Sequence, residues 1–238
     1  MHSSPKHMPT SLATMLGQLG PLLRHAPLVA RSRKISGDTV SSDRFLLTFP
    51  RAAMLRPLDP RPLGELIGAT LPDRLIRHWL RAEVVHLGLD DADTAGGKIL
   101  KLYLEFSPET APEQGLAYLA LKAGSQAHLH RYDVVENSAP VLNDLSLPPV
   151  MQDFVRDLSA TCPILRVSDS GSARLSLDIG LTDHPPDPRL LDRLGQIVSS
   201  VNPAATAPTA WPSHVAIGRD RNGTPFVTLY GWPDEALP

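Results

Sequence analysis

Alternation along the stretch KILKLYLEF sets Lys101, Tyr103 and Glu105 on one side of a strand, opposite Leu100, Leu102, Leu104 and Phe106. A cation, a phenol and a carboxylate in one row can hold an anion, hydrogen-bond a polar ligand and move a proton. The same reading puts His86, Lys122 or Tyr118, His128, His130, Tyr132, Arg174, Ser176, Asp178, His214, Thr228 and Tyr230 on polar strand faces. An ordinary wet strand face favours Thr, Lys, Glu and Ser. Repeated Tyr and His fit a partly enclosed, amphipathic surface instead. The plain alternative is an exposed polar sheet face with incidental aromatics.

The elements that must position these residues follow from the apolar pattern. AEVVHLGLDD with GKILKLYLEF, and GLAYLALKA with QAHLHRYDVV, form two strand pairs, the second turned at Gly124-Ser125. PILRVSDSGSARLSLDIGL turns at SDSGS, and SHVAIGRDRNGTPFVTLYGW turns at Asn222-Gly223. SSDRFLLTFP reads as a further short strand closed by Pro50, and RSRKISGD before it as a polar basic loop.

Leu12, Met15, Leu16, Leu19 and Leu23 fall at helical spacing, with Thr10 or Ser11 as cap. LGELIGATLPDRLIRHWLRA reads as two helical pieces broken at Pro72, with Asp73 in the first turn of the second. PPVMQDFVRDLSA is a helix. So is DPRLLDRLGQIVSSV, with Asp187 as cap, Pro188 first, and an apolar stripe through Leu191, Leu194, Val198 and Val201. The expected architecture is α+β, with antiparallel hairpins and outer helices: a disordered 1–9 followed by a single domain over 10–238.

Composition narrows the function classes. A net charge of -2 supplies no basic field for nucleic acid. No run of about 20 apolar residues suggests a membrane span. Gln18, Pro21, Arg24 and His25 interrupt the apolar N-terminal stretch, which favours a helix over an export signal. The single cysteine, Cys162, forbids an internal disulfide and points to a cytoplasmic protein; before Pro163 it reads as a buried small residue. Trp79 and Trp232 read as core or rim. There is no P-loop, dinucleotide fingerprint or Gly-X-Ser-X-Gly elbow. LDDAD reads as turn chemistry rather than a magnesium motif. His128-X-His130, joined by His86 or His214, leaves a three-histidine metal site as a competing reading.

Two of the strand pairs are alike in detail. LGLDD…GGKILKLYLEF and IGRDRNGTPFVTLYGW share an apolar-Gly-X-Asp entry, a glycine turn and an apolar-polar-Leu-Tyr return. Lys101 and Tyr103 then correspond to Thr228 and Tyr230. This pattern and the alternation of hairpins with helices, over about residues 80–232, resemble the aromatic prenyltransferases of the ABBA barrel. The chain is shorter than is usual for them, and about nine strands can be counted where ten are needed, because SSDRFLLTFP lacks a partner.

The resemblance implies a barrel, closed or partly open, whose polar lumen takes a prenyl diphosphate and an aromatic acceptor. By the same resemblance Lys101 and Arg174 hold the diphosphate, with Lys122 assisting. Tyr103 and Tyr230 hydrogen-bond it and screen the allylic cation. Glu105 takes the acceptor's proton, with Glu83 as a second candidate, and neither a metal nor another cofactor is obligatory. The rival expectation is a non-catalytic binding or accessory protein that holds a small amphipathic ligand or a partner peptide in the same cavity.

Overall fold

A computed structural model describes residues 11–90, 99–123, 127–169, 175–220 and 222–231. Its ten strands are β1 (Leu28–Ser36), β2 (Thr39–Pro50), β3 (Val84–Asp90), β4 (Ile99–Glu105), β5 (Leu116–Ala123), β6 (His128–Val134), β7 (Ile164–Asp169), β8 (Leu175–Gly180), β9 (His214–Arg219) and β10 (Pro225–Tyr230). They close into an antiparallel barrel in the order β1-β10-β9-β8-β7-β6-β5-β4-β3-β2. Among the described residues the α-helices are α1 (Leu12–Leu19), α2 (Arg61–Leu66), α3 (Asp73–His78), α4 (Ser138–Leu145), α5 (Pro149–Leu158) and α6 (Pro188–Val201).

The tenth strand comes from the segment expected to be a basic loop. RSRKIS belongs to β1 and pairs with β10, with Ser32 opposite Tyr230, Lys34 opposite Thr228 and Ser36 opposite Phe226. Its hallmark is hidden in the sequence because Ile35, 0% exposed, is its one fully buried apolar side chain. Gly37, at φ +52, makes the turn into β2.

The chain forms two compact units. In the first, Met1–Val29 with Phe45–His130, the apolar faces of β2–β5 pack against helices. Leu47, Leu87, Leu102 and Leu121 join Met15 and Leu19 of α1, Leu63 of α2 and Leu75 of α3 in one core. Ser11 caps α1, its hydroxyl accepting the Thr14 N–H at 3.2 Å. Asp73 opens α3 after Pro72, as expected. Trp79 is core: it is 1% exposed and its indole N–H donates to the Pro57 carbonyl at 2.8 Å.

The second unit, Ala30–Arg44 with Arg131–Pro238, repeats the plan. Leu177, Ile179, Val215, Ile217, Val227 and Leu229 pack under Phe154, Leu158, Leu194 and Val198 of α5 and α6. Asp187 caps α6, accepting the Arg189 N–H at 2.9 Å, and Pro188 stands at the first position. The buried stripe of α6 runs through Leu190, Leu194, Ile197 and Val198, so Leu190 replaces the expected Leu191. Positions 190, 194 and 198 are successive i, i+4 neighbours and share a face. Helix α4 was not expected. Pro140 reads as a breaker, yet it lies in the first turn, where a missing N–H costs nothing. Cys162 is a buried free thiol.

No helix among the described residues is long and apolar enough to cross a membrane. The expectation of disorder over 1–9, the turns at Gly124-Ser125 and SDSGS, and Trp232 lie wholly or partly outside the described residues. Because strand side chains alternate, the face opposite each apolar set lines the barrel interior.

Candidate functional site

Register turns the inner face of the first unit into three rows. Thr48 stands opposite His86, His86 opposite Tyr103, and Tyr103 opposite Ala120. One step toward the β3–β4 turn lie Gly88, Lys101 and Lys122. One step the other way lie Val84, Glu105 and Tyr118. Lys101, Tyr103, Glu105 and Lys122 therefore share one inner face. Tyr118 shares it too, being four residues from Lys122 on β5.

Lys101 donates from Nζ to the Asp90 carboxylate at 2.7 Å, and both side chains are 15% exposed. The Lys101 side chain passes over Gly88. A Cβ built there would lie 3.4 Å from the Lys101 Cβ and 3.5 Å from the Tyr103 ring. Asp90 is thus the resident counter-ion of Lys101, a role the sequence reading did not assign.

His86 is held at both nitrogens. Its Nδ1 lies 2.8 Å from the Thr48 hydroxyl and its Nε2 lies 2.7 Å from the Glu105 carboxylate. An ionised carboxylate only accepts, so Nε2 carries a proton. Nδ1 of the neutral ring is then left to accept from the Thr48 hydroxyl. The His86 side chain is 12% exposed and that of Glu105 33%. Tyr103 meets the imidazole edge-on at 6.3 Å and Tyr118 lies tilted at 5.9 Å. Glu83, the second candidate base, is of opposite parity to His86; it is exposed and accepts from the Ser107 hydroxyl at 2.7 Å.

On the inner face of the second unit, Lys34, Thr228, Ala216 and Asp178 form one row, and Ser32, Tyr230, His214 and Gly180 the next. Arg44, 6% exposed, points Nη1 at the Thr228 hydroxyl at 3.5 Å. The ammonium of Lys34 sits 5.5 Å from the Phe226 ring centre. The Asp178 Oδ1 is sealed from solvent and has no hydrogen-bond partner among the described residues. Burial pushes the Asp178 carboxyl up to about 6, while the charge of His214 pulls the other way.

Tyr230 lies on this second inner face. Arg174 lies outside the described residues. Lys34 and Arg44 carry no signal of this placement in sequence: the first sits in a segment that reads as a loop, and the second precedes the apolar run of β2. No group of three or more His, Cys, Asp or Glu that could hold a metal ion occurs among the described residues.

Solved structures share this fold. One is the 5-dimethylallyl tryptophan synthase from Streptomyces coelicolor, determined in complex with DMASPP and Trp. It is 15% identical with a TM-score of 0.53, over 88% of this chain and 80% of that one. Another is AnaPT from Neosartorya fischeri, 12% identical with a TM-score of 0.52, over 89% and 80%. The architecture is thus that of the ABBA-barrel prenyltransferases. At these identities the likeness is one of fold. No family model matches the chain, and no curated protein is significantly similar to it in sequence.

Proposed function

We propose that this protein transfers a prenyl group from an isoprenoid diphosphate to an aromatic acceptor. The observation that carries the reading is the placing of Lys101 directly opposite Lys122, beside Tyr103, on an inner strand face. Like charges opposite each other across a strand pair destabilise a sheet. A polyanionic ligand turns that cost into binding. The fold comparison adds weight, because one similar structure holds DMASPP and Trp.

Ionisation of an allylic diphosphate puts negative charge on the leaving group and positive charge on the prenyl carbon. Fixed ammonium groups stabilise the first, and each charge-assisted contact contributes about 1.5–3 kcal/mol. Tyrosine hydroxyls add hydrogen bonds, and tyrosine faces shield the cation from water. In this reading Lys101 and Lys122 hold the diphosphate, and Tyr103 bonds it and screens the cation. Glu105 supplies the negative charge that draws off the acceptor's proton. Arg174 and Tyr230 join the diphosphate group on the strength of the resemblance alone.

The Lys101–Asp90 ion pair favours the rival reading of a non-catalytic binding or accessory protein, since it already neutralises one cation. Mass spectrometry separates the two. The protein is incubated with dimethylallyl or geranyl diphosphate and a panel of indole and phenol acceptors. Prenyl transfer gives an acceptor heavier by one prenyl group. A holder binds its ligand and returns it unchanged.

A further inference from the structure

Thr48, His86 and Glu105 are joined in one unbroken line, hydroxyl to imidazole to carboxylate, by contacts of 2.8 and 2.7 Å. We infer that this line is a proton relay of the barrel interior, in which Thr48 receives the acceptor's proton, His86 stores it and Glu105 is the positioning residue. The inference rests on the prenyl-transfer reading and changes its chemistry: the proton comes to rest on an imidazole rather than on Glu105.

Three features carry it. Both ring nitrogens of His86 are engaged, by groups of different kinds. In the neutral ring, donation from Nε2 to the carboxylate leaves the nitrogen facing Thr48 as an acceptor. The imidazole is also walled by Tyr103 and Tyr118 and is 12% exposed, so its proton traffic runs along the line rather than through bulk water. The division of labour is that of nucleophile, base and orienting acid in activated-hydroxyl sites, here on adjacent strands of a sheet.

The allylic C–O bond breaks and the diphosphate leaves with the bonding pair. A ring carbon of the acceptor bonds to the prenyl carbon, giving an arenium ion. The C–H bond at that ring carbon then breaks and its electrons restore the aromatic ring. The proton passes to the Thr48 Oγ1 as the Thr48 hydroxyl proton crosses to His86 Nδ1. The resulting imidazolium faces the Glu105 carboxylate, and its extra proton later leaves along the line, by way of the more exposed Glu105, to solvent. No oxidant or reductant is needed.

Two measurements test this on the folded protein. Nitrogen-15 NMR of the histidine rings reads the tautomer without any substrate. His86 is expected to carry its proton on Nε2, and Glu105→Gln, whose amide can accept or donate, to weaken that preference. The second compares prenylated product with diphosphate released, in His86→Gln, Thr48→Val and Glu105→Gln. General acid–base groups contribute roughly 10²–10⁴-fold. Transfer should therefore fall about a hundredfold or more in His86→Gln and fall also in the near-isosteric Thr48→Val, while diphosphate release persists and ends in prenyl alcohol. Transfer and release falling together would show a merely structural role. Unchanged transfer in His86→Gln, or a proton on Nδ1 in the wild type, overturns the relay. A wild type that binds and releases no diphosphate removes the prenyl-transfer reading instead. In that case an Nε2 proton leaves the line standing as an acid–base group, and an Nδ1 proton sinks both.

Discussion

Lys101 faces Lys122 across β4 and β5, and its ammonium is 2.7 Å from the carboxylate of Asp90. The two relationships pull in opposite directions. The lysine pair favours an anion on the inner face, and Asp90 competes with that anion for one of the two cations. A diphosphate that binds here must draw Lys101 away from Asp90 or share it.

Opposite effects of two substitutions follow. Lys101→Ala should weaken diphosphate binding by roughly tenfold to a hundredfold, the equivalent of about 1.5–3 kcal/mol. Lys101→Arg should retain part of the affinity. Asp90→Asn removes the competitor and the nearby negative charge, and should tighten binding. Titration calorimetry on the three variants reads all of these; weaker binding in Asp90→Asn would mean that Asp90 orients Lys101 for the ligand.

Asp178 should make stability fall as pH rises. Its folded carboxyl titrates at about 6, against 3.8 for the ordinary group. Between those values the native state holds a proton that the unfolded chain has lost, so raising the pH favours unfolding. The cost is absent below about pH 4 and complete by about pH 7, amounting to about 3 kcal/mol. Asp178→Asn cannot ionise. Denaturant unfolding of both proteins across this range should show the variant gaining on the wild type as pH climbs. A constant difference would mean that Asp178 finds a compensating partner when charged.

Glycines at two places should respond with opposite sign. Gly218 packs so closely against β8 that a Cβ would lie 2.5 Å from the Ser176 Cβ and 2.6 Å from the Leu175 carbonyl oxygen. Gly218→Ala should destabilise by about 1–3 kcal/mol through overpacking. Gly17 is exposed in α1 with nothing within 4 Å of a built Cβ, so Gly17→Ala should stabilise by about 1 kcal/mol. Thermal unfolding of each variant decides.

Strand β1 should matter to stability although it looks like a loop in sequence. Ile35 is 0% exposed within the core formed by α4–α6 and the strands beneath them. Ile35→Ala should cost about 2–5 kcal/mol, as for a buried aliphatic side chain. A substitution within experimental error of wild type would mean that β1 contributes little to that core.

Particular residues show what could be read in advance and what could not. Lys101, Tyr103 and Glu105 were legible as one face because strand parity is local, and the parity of β4 is unbroken from Leu100 to Phe106. Lys122 and Tyr118 were legible as sharing one face of β5, but which face only the register against β4 decides. The cap and first residue of α6 were legible too, since Asp187 and Pro188 act within one turn. The tenth strand was not. Arg31, Ser32, Arg33 and Lys34 carry no apolar period, and one of the two neighbours of β1 in the barrel is β10, at the other end of the chain. The line from Thr48 through His86 to Glu105 was hidden for the same reason. It spans three strands, and only their register makes neighbours of residues 38 and 19 positions apart. Asp90 escaped as a partner of Lys101 because it is set diagonally, past Gly88.

Titration of the folded protein with dimethylallyl and geranyl diphosphate, in the presence of EDTA, tests the central claim most directly. Saturable binding of at least one of them that survives the chelator, and that weakens roughly tenfold to a hundredfold in Lys101→Ala, is the result this account predicts. No binding of either by well-folded protein would contradict it, as would binding indifferent to Lys101.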